Sequence, residues 1–217
     1  MNDHGRSAAI LAGGLATRLG GRDKSALLVD GRAILDRQVE ALTPLVDDLM
    51  IVGHGVDLAQ GVQPRDRSAE RAAPHLIPGA RAVADIVPGC GPLGGLHAAL
   101  TSARSDVLFL VACDMPYVSS AFVEHLLSLA GEADAVVPRT ERGYHPLCAV
   151  YTRACLEPAA AQLADRRLKM LELLDRVRMR VVPIEEIRRF GAPDRLLANV
   201  NTPADYAGLE TLQGHKL

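Results

Sequence analysis

Short, unbroken apolar runs recur along the chain and are separated by stretches of mixed polarity. Runs of strand length occupy 8–11, 49–53 and 106–114, and the last of them, DVLFLVACD, is the strongest. Runs without alternating polar positions are typical of strands covered on both faces, as in parallel sheets. Three shorter apolar segments predict further strands, at 134–138, 147–151 and 179–183.

Helical patterns lie between several of these runs. Residues 33–46 place apolar side chains three and four positions apart, and a second helix is expected from Ser119 or Ser120, with a serine as its N-cap. Alternating strands and helices predict an α/β fold with three layers, α/β/α: a Rossmann-like, mostly parallel sheet with helices on both faces. We expect residues 1–217 to form a single domain. Segment 54–81 lacks clear periodicity and is interpreted as a surface loop, although its arginines could contact a phosphorylated ligand.

Ligands of such sheets bind at the carboxyl ends of the strands. Three parts of the sequence follow strand ends: the glycines after Leu11, the residues around 53, and Asp114. The predicted fold therefore brings all three to one edge of the sheet.

Composition narrows the classes of partner. Of the 217 residues, 3% are aromatic and none is tryptophan, and the net charge is -2. These values argue against binding to nucleic acid or to an anionic membrane. The N-terminal MNDHGRS has no apolar core typical of a signal peptide, and the four cysteines form no C-x-x-C pair. We interpret them as buried free thiols and expect a cytoplasmic protein.

The stretch LAGGLATRLGGRDK, residues 11–24, carries glycines directly after a strand, and the cations Arg18 and Lys24 follow further on. It matches neither a Walker A loop, G-x-x-x-x-G-K-[ST], nor a dinucleotide fingerprint, G-x-G-x-x-G. Glycines without Cβ atoms let backbone N–H groups approach an anion closely, and the two cations suit a triphosphate. A glycine-rich turn with solvated cations is the structural alternative. The candidate phosphate-binding residues are Leu11, Ala12, Gly13, Gly14, Arg18 and Lys24.

Four further stretches contain groups that could act together with this loop. Asp114 in CDMP ends the strongest strand, where a carboxylate can hold Mg²⁺ against phosphate oxygens; capping the helix that follows is the alternative role. The glycine-rich turn CGPLGG, 90–95, presents N–H groups at a helix start, which favours an anion. The other two stretches are GYHPLCAVY, 143–151, and NVNTP, 199–203, and the latter could simply cap a short helix.

Together these motifs resemble the nucleotidyltransferase signature of sugar-phosphate and cofactor nucleotidylyltransferases. Within that group the chain is similar, over essentially its whole length, to the molybdenum cofactor guanylyltransferases. The resemblance implies a nucleotidyltransferase domain that transfers GMP from GTP to the terminal phosphate of molybdopterin and releases pyrophosphate, with Mg²⁺ as cofactor. It also implies transient contacts with molybdenum cofactor enzymes or chaperones, and we expect a monomer.

The resemblance assigns roles to particular residues. Asp114 is the implied magnesium ligand, and it forms the catalytic set with Arg18 and Lys24, which would stabilise charge on the β,γ-phosphates. Nucleotide binding is implied for Leu11, Ala12, Gly13, Gly14, Lys24, Asp85 and Asp114. The molybdopterin side comprises Gly91, Gly94, His145, Asn199 and Asn201. A purely structural role in the turn remains open for His145.

One departure from the family's pattern leaves the identity of the nucleotide base undecided. Family members carry an asparagine near the end of the second strand, whereas this chain reads IVGHG at 51–55. A cytidylyltransferase acting on molybdopterin, or a nucleotidylyltransferase for another phosphorylated small molecule, is therefore an alternative. A non-catalytic nucleotide-binding protein is a third reading, but it predicts loss of Asp114 or Lys24, and both are present. A plain structural module leaves the co-occurring motifs unexplained.

Overall fold

A computed structural model describes residues 5–12, 28–53 and 79–200. Within these residues, eight strands form one sheet in the order β10-β7-β9-β6-β1-β4-β5, with β8 paired to β7. Its strands are β1 (Arg6–Leu11), β4 (Asp48–Val52), β5 (Ala80–Val83), β6 (Val107–Ala112), β7 (Ala135–Thr140), β8 (Gly143–Tyr144), β9 (Cys148–Thr152) and β10 (Met179–Val182). A separate two-stranded ribbon pairs β2 (Leu28–Val29) with β3 (Arg32–Ala33).

Helices cover both faces of the sheet. They are α1 (Ile34–Leu42), α2 (Gly91–Ser102), α3 (Ser120–Ser128), α4 (Leu156–Ala164), α5 (Met170–Leu174), α6 (Ile184–Ile187) and α7 (Pro193–Leu196). Buried side chains of α1, α3, α6 and α7 pack on one face, and those of α2, α4 and α5 pack on the other. The predicted α/β/α architecture is confirmed, and none of the described helices is long and apolar enough to span a membrane.

Residues of the central strands alternate between the two cores. Ala8 and Ile10 of β1 belong to the α1/α3 side, whereas Ala9 and Leu11 belong to the α2/α4 side. Successive strand side chains point to opposite faces, so a strand buried on both sides needs apolar residues at every position. This requirement explains the unbroken apolar runs that predicted β1, β4 and β6.

The sheet is mostly parallel, but β9 runs against both of its neighbours. Pairs β1–β4, β1–β6, β4–β5 and β7–β10 are parallel, while β9 is antiparallel to β6 and to β7. Because β9 is reversed, its amino-terminal end lies beside the carboxyl end of β6. The chain just before β9 therefore reaches the edge at which the parallel strands end.

Some local predictions need correction. The interpretation of 54–81 as a loop is wrong at its end, because Ala80 and Arg81 begin β5; residues 54–78 lie outside the described part of the chain. The helix predicted over 33–46 ends at Leu42 and continues as a 3₁₀ turn that contains Pro44. Cys113 is half-buried, whereas Cys90, Cys148 and Cys155 are buried as expected.

Candidate active site at the carboxyl edge of the sheet

The parallel register brings three strand ends to one level. Leu11 pairs with Val52 of β4 and with Ala112 of β6. The ladder continues one residue further, because Ala12 N donates to Val52 O at 2.8 Å and Cys113 N donates to Leu11 O at 3.1 Å. The prediction that the residues around 53 and Asp114 share one edge with the end of β1 is therefore confirmed, whereas the glycines that follow Ala12 lie outside the described residues.

The first strand ends at Leu11, two residues before the first glycine of the predicted phosphate loop. Leu11 is buried and Ala12 is half-buried, so Ala12 marks the point at which the chain leaves the core. Gly13, Gly14, Arg18 and Lys24 lie outside the described residues. Their roles stay predictions, and the structure locates only the strand end from which the loop departs.

Asp114 occupies a tight turn that leaves β6. It is half-buried, and Met115 N donates back to Ala112 O at 3.3 Å to close the turn. Helix α3 has a different N-cap, since the Ser119 hydroxyl accepts from Phe122 N at 3.3 Å. The capping alternative for Asp114 is therefore excluded at that helix, and the carboxylate remains at the sheet edge.

The C-terminal asparagine segment lies next to this turn. Val200 N donates to the Asp114 carbonyl at 2.8 Å, and Val200 itself is buried against Val29 and Ile34. Asn199, immediately before it, is exposed, whereas Asn201 lies outside the described residues. The structure thus brings Asn199 beside Asp114, although more than 80 residues separate them in the sequence.

The start of α2 forms the next part of the edge. Asp85 follows β5 by two residues and is half-buried. Gly91 begins the helix with φ +60°, a left-handed conformation that favours glycine. A Cβ on Gly94 would lie 2.9 Å from Cys90 Cβ and 3.3 Å from the Val87 carbonyl. The two glycines therefore have backbone and packing reasons to be there, in addition to any contact with a ligand.

His145 reaches the same edge through the reversed strand β9. Ala112 N donates to Leu147 O at 2.9 Å, which ties the turn before β9 to the end of β6. Nε2 of His145 lies 2.8 Å from Thr140 Oγ1, and its backbone N donates to Pro138 O at 2.9 Å. Partial burial, and secondarily the positive charge of Arg142, lower the pKa of His145. These internal contacts favour the turn-forming role that the sequence left open.

Sequence reasoning missed a buried polar residue beneath the Asp114 turn. Gln38 of α1 is 1% exposed, and its amide donates to the carbonyls of Ala112 and Met115. A signal was present, because Gln38 lies four residues from both Ile34 and Leu42, within the apolar stripe of the helix. A polar residue in that stripe needs a buried partner, and its partners are the carbonyls of the Asp114 turn.

Comparison with known proteins shows the family to which the chain belongs. The model of the MobA-like NTP transferase domain matches residues 8–179, which include most of β1, the Asp114 turn and the start of α2. The chain belongs to this family. Its members are nucleotidyltransferases, so this MobA-like protein is an enzyme of that class.

Curated relatives of this MobA-like protein match over nearly their full length. The molybdenum cofactor guanylyltransferase of Desulfosudis oleivorans is 31% identical, over 89% of this chain and 88% of the relative. The probable molybdenum cofactor guanylyltransferase of Methanosarcina acetivorans is 34% identical, over 92% and 88% respectively. These matches extend beyond the glycine loop, in agreement with the resemblance found from the motifs.

Solved structures share the fold. Molybdopterin-guanine dinucleotide biosynthesis protein A from Archaeoglobus fulgidus superposes with a TM-score of 0.75 at 24% identity, covering 97% of this chain and all of that one. A 2-C-methyl-D-erythritol 4-phosphate cytidylyltransferase from Thermus thermophilus also matches, with a TM-score of 0.64 at 18% identity, over 95% of this chain and 97% of that one. Since a cytidylyltransferase has the same architecture, the fold alone does not select the base.

Proposed function

We propose that this MobA-like protein transfers GMP from GTP to the terminal phosphate of molybdopterin, releases pyrophosphate and requires Mg²⁺. The observation that carries the proposal is the common register of β1 and β6, in which Leu11, two residues before the first glycine of the loop, pairs with Ala112, two residues before Asp114. A triphosphate held by that loop would lie within reach of a carboxylate. Support for molybdopterin and GTP comes from the curated relatives, which are molybdenum cofactor guanylyltransferases.

The reaction needs no nucleophile from the protein. A terminal phosphate oxygen of the acceptor forms a bond to the α-phosphorus of GTP, and the bond from that phosphorus to the bridging oxygen of pyrophosphate breaks. The acceptor oxygen is already anionic, so the protein has to align the reactants and offset negative charge. We assign the alignment to the backbone of Leu11 to Gly14, and the charge compensation to Arg18 and Lys24.

The residues present fit a magnesium ion. The described part of the chain contains no cluster of three metal-ligating side chains, and Asp114 offers one half-buried carboxylate at the edge. Mg²⁺ in nucleotide enzymes is commonly held by one or two carboxylates together with substrate phosphates and water. Bound there, the ion would neutralise charge on the phosphate oxygens. A structural neighbour from Mycobacterium tuberculosis, Rv0371c, was solved as a manganese complex.

We assign the acceptor to the side of the Asp114 turn on which Asn199 and the turn before β9 lie, and we extend the assignment to Asn201 from the sequence. The hydrogen bond from Val200 N to Asp114 O supports this assignment, because it holds Val200, next to Asn199, against the backbone of the residue that carries the proposed metal carboxylate. We propose that His145 shapes the acceptor side of the pocket without binding the acceptor directly, since its ring is hydrogen-bonded to Thr140. A lowered pKa keeps the imidazole uncharged near neutral pH, so it would not attract phosphate by charge.

Asp85 and the start of α2 complete the proposed pocket. Asp85 is assigned to the nucleotide and Gly91 and Gly94 to the acceptor side; Gly91 is exposed at the start of the helix, whereas Gly94 is buried against Cys90 and lets the helix pack closely. The helix starts with backbone N–H groups that have no partner within the helix, and these favour a negatively charged group.

We further propose that the enzyme is a cytoplasmic monomer that contacts molybdenum cofactor enzymes or chaperones transiently.

The test compares transfer of GMP, CMP and AMP to molybdopterin from the corresponding triphosphates with Mg²⁺, using D114N and the exposed control D175N. D114N keeps the shape of the side chain but removes its charge, and we expect kcat to fall by about 100-fold or more. K24A should be similarly impaired, whereas D175N should match the wild type. Transfer by D114N at the wild-type rate would overturn the role of Asp114, and a preference for CTP would overturn the assignment of guanine.

A further inference from the structure

The turn that carries Asp114 is hydrogen-bonded from beneath by a side chain of another layer. Gln38 lies in the middle of α1, on the helix face that packs under the sheet, and is 1% exposed. Its Nε2 donates to Ala112 O at 2.8 Å and to Met115 O at 3.0 Å. Both protons of the amide are used, and the two carbonyls lie on either side of Asp114.

Other contacts hold the same turn from different directions. Cys113 N donates to Leu11 O at 3.1 Å, and Val200 N donates to Asp114 O at 2.8 Å. Nε of Arg37, the residue next to Gln38, donates to Pro116 O at 3.2 Å. Two adjacent residues of α1 therefore hydrogen-bond to the carbonyls of 112, 115 and 116, and the backbone around Asp114 has little freedom to rotate.

Gln38 supplies hydrogen-bond donors that an apolar residue in the same stripe would lack. Its Oε1 is buried and has no hydrogen-bond partner among the described residues, which is unfavourable for a polar atom. An apolar side chain of the same length would avoid that loss and would suit the stripe formed by Ile34 and Leu42. What an apolar side chain could not supply is the pair of donors to the Asp114 turn.

We propose that Gln38 is a positioning residue, whose amide fixes the turn so that the Asp114 carboxylate is held ready for a divalent cation. The inference rests on the proposed function, in which Asp114 is the metal ligand. A turn that is already ordered loses less freedom when the cation and triphosphate bind. Gln38 touches neither substrate nor metal in this scheme and acts through the backbone of its neighbours.

The test variant is Q38M, which preserves length and approximate volume but removes both donors. We expect the concentration of Mg²⁺ needed for half-maximal activity to rise by about tenfold, since partners of metal ligands typically influence affinity on that scale. kcat should fall, while KM for GTP at saturating Mg²⁺ should change by less than about twofold, because the phosphate loop is untouched. Mn²⁺ binding, followed by electron paramagnetic resonance with a non-hydrolysable GTP analogue, should weaken in parallel without any turnover.

The chain offers a matched control in Gln162 of α4. It is also fully buried, and its Nε2 donates to a backbone carbonyl, that of Lys169. Its Oε1 has no hydrogen-bond partner in the part of the chain that the structure describes. It packs in the layer on the other side of the sheet, so Q162M should lower the melting temperature but leave the Mg²⁺ and Mn²⁺ responses as in the wild type. If Q38M does not fold, Q38N takes its place, because its shorter amide cannot reach both carbonyls.

The outcomes separate the two proposals. Q38M with the same metal responses as Q162M, alongside an inactive D114N, would overturn the role of Gln38 and leave the proposed function intact. A wild-type protein that transfers no GMP, or a D114N that binds Mn²⁺ as tightly as the wild type, would overturn the proposed function first. Weakened Mn²⁺ binding in Q38M but not in Q162M would support the inference.

Discussion

Replacing Asp48 by asparagine should destabilise the fold while leaving the reaction rate of folded molecules unchanged. Asp48 begins β4, at the end of the strand opposite the candidate site, and its side chain is 2% exposed. Its carboxylate accepts two hydrogen bonds from Arg81 of β5, at 2.7 and 2.9 Å. The Ser7 hydroxyl and Arg104 N donate to the same group, at 3.2 and 3.1 Å. One carboxylate thus joins two neighbouring strands and the chain after α2.

The expected loss in the free energy of unfolding follows from this geometry. Breaking a buried ion pair by removing one partner costs about 3–5 kcal/mol, whereas an exposed pair contributes about 0–1 kcal/mol. Arg81 is 32% exposed, and asparagine keeps one oxygen as an acceptor, so we expect a value near or just below the lower limit, about 2–3 kcal/mol. For a protein of this size, that corresponds to a fall in melting temperature of about 4–12 °C.

The pKa of Asp48 adds a pH dependence with a definite sign. Burial by itself would raise this pKa. The hydrogen bonds from Arg81, from Arg104 N and from the Ser7 hydroxyl, together with the positive charge of Arg81, outweigh burial and lower the pKa below 3.8. A carboxylate with a lowered pKa stabilises the fold fully above its unfolded value and loses that contribution as pH falls toward the folded value. The difference in stability between wild type and D48N should therefore be constant from about pH 5 to 7 and shrink below about pH 4.

Thermal and urea unfolding followed by circular dichroism measure this difference. The control is D106N, because Asp106 pairs with Arg153 at 2.8 Å but is 72% exposed. Its melting temperature should stay within about 2 °C of the wild type. A D48N that melts within about 2 °C of D106N at pH 7 would refute the reasoning. So would a difference between wild type and D48N that grows as the pH falls below 4.

Two further predictions concern the helices beside the site. Alanine at Gly94 should cost about 1–3 kcal/mol, since its Cβ would lie 2.9 Å from Cys90 Cβ. Alanine at Gly131 should be neutral, because a Cβ there would meet no non-neighbouring atom of the described residues within 4 Å, and equal melting temperatures for the two variants would contradict this. Removing the N-cap of α3 with S119A should cost about 1 kcal/mol, because Phe122 N loses its acceptor, and an unchanged urea midpoint would show that the cap contributes little.

Much of the architecture was predictable because it depends on short-range patterns. A strand buried on both faces needs a continuous apolar run, and a helix start needs an acceptor for its first N–H groups, so β1, β4, β6 and Ser119 could be read from the sequence. Strand direction could not be read in this way. An apolar run is compatible with either orientation, and the reversal of β9 depends on its pairing between β6 and β7.

The candidate site likewise combines features that local sequence determines with features that depend on tertiary packing. By itself, the sequence determined which groups are available: a glycine loop after one strand, a carboxylate after another and a glycine-rich helix start, because each is a local combination of residue types. Only the tertiary structure decided that Asp114 lies level with Leu11, that Val200 binds its carbonyl, and that Gln38 lies beneath its turn. The contacts of Gln38 join residues 74 and 77 positions apart, and such pairs meet only when a helix layer packs against the sheet.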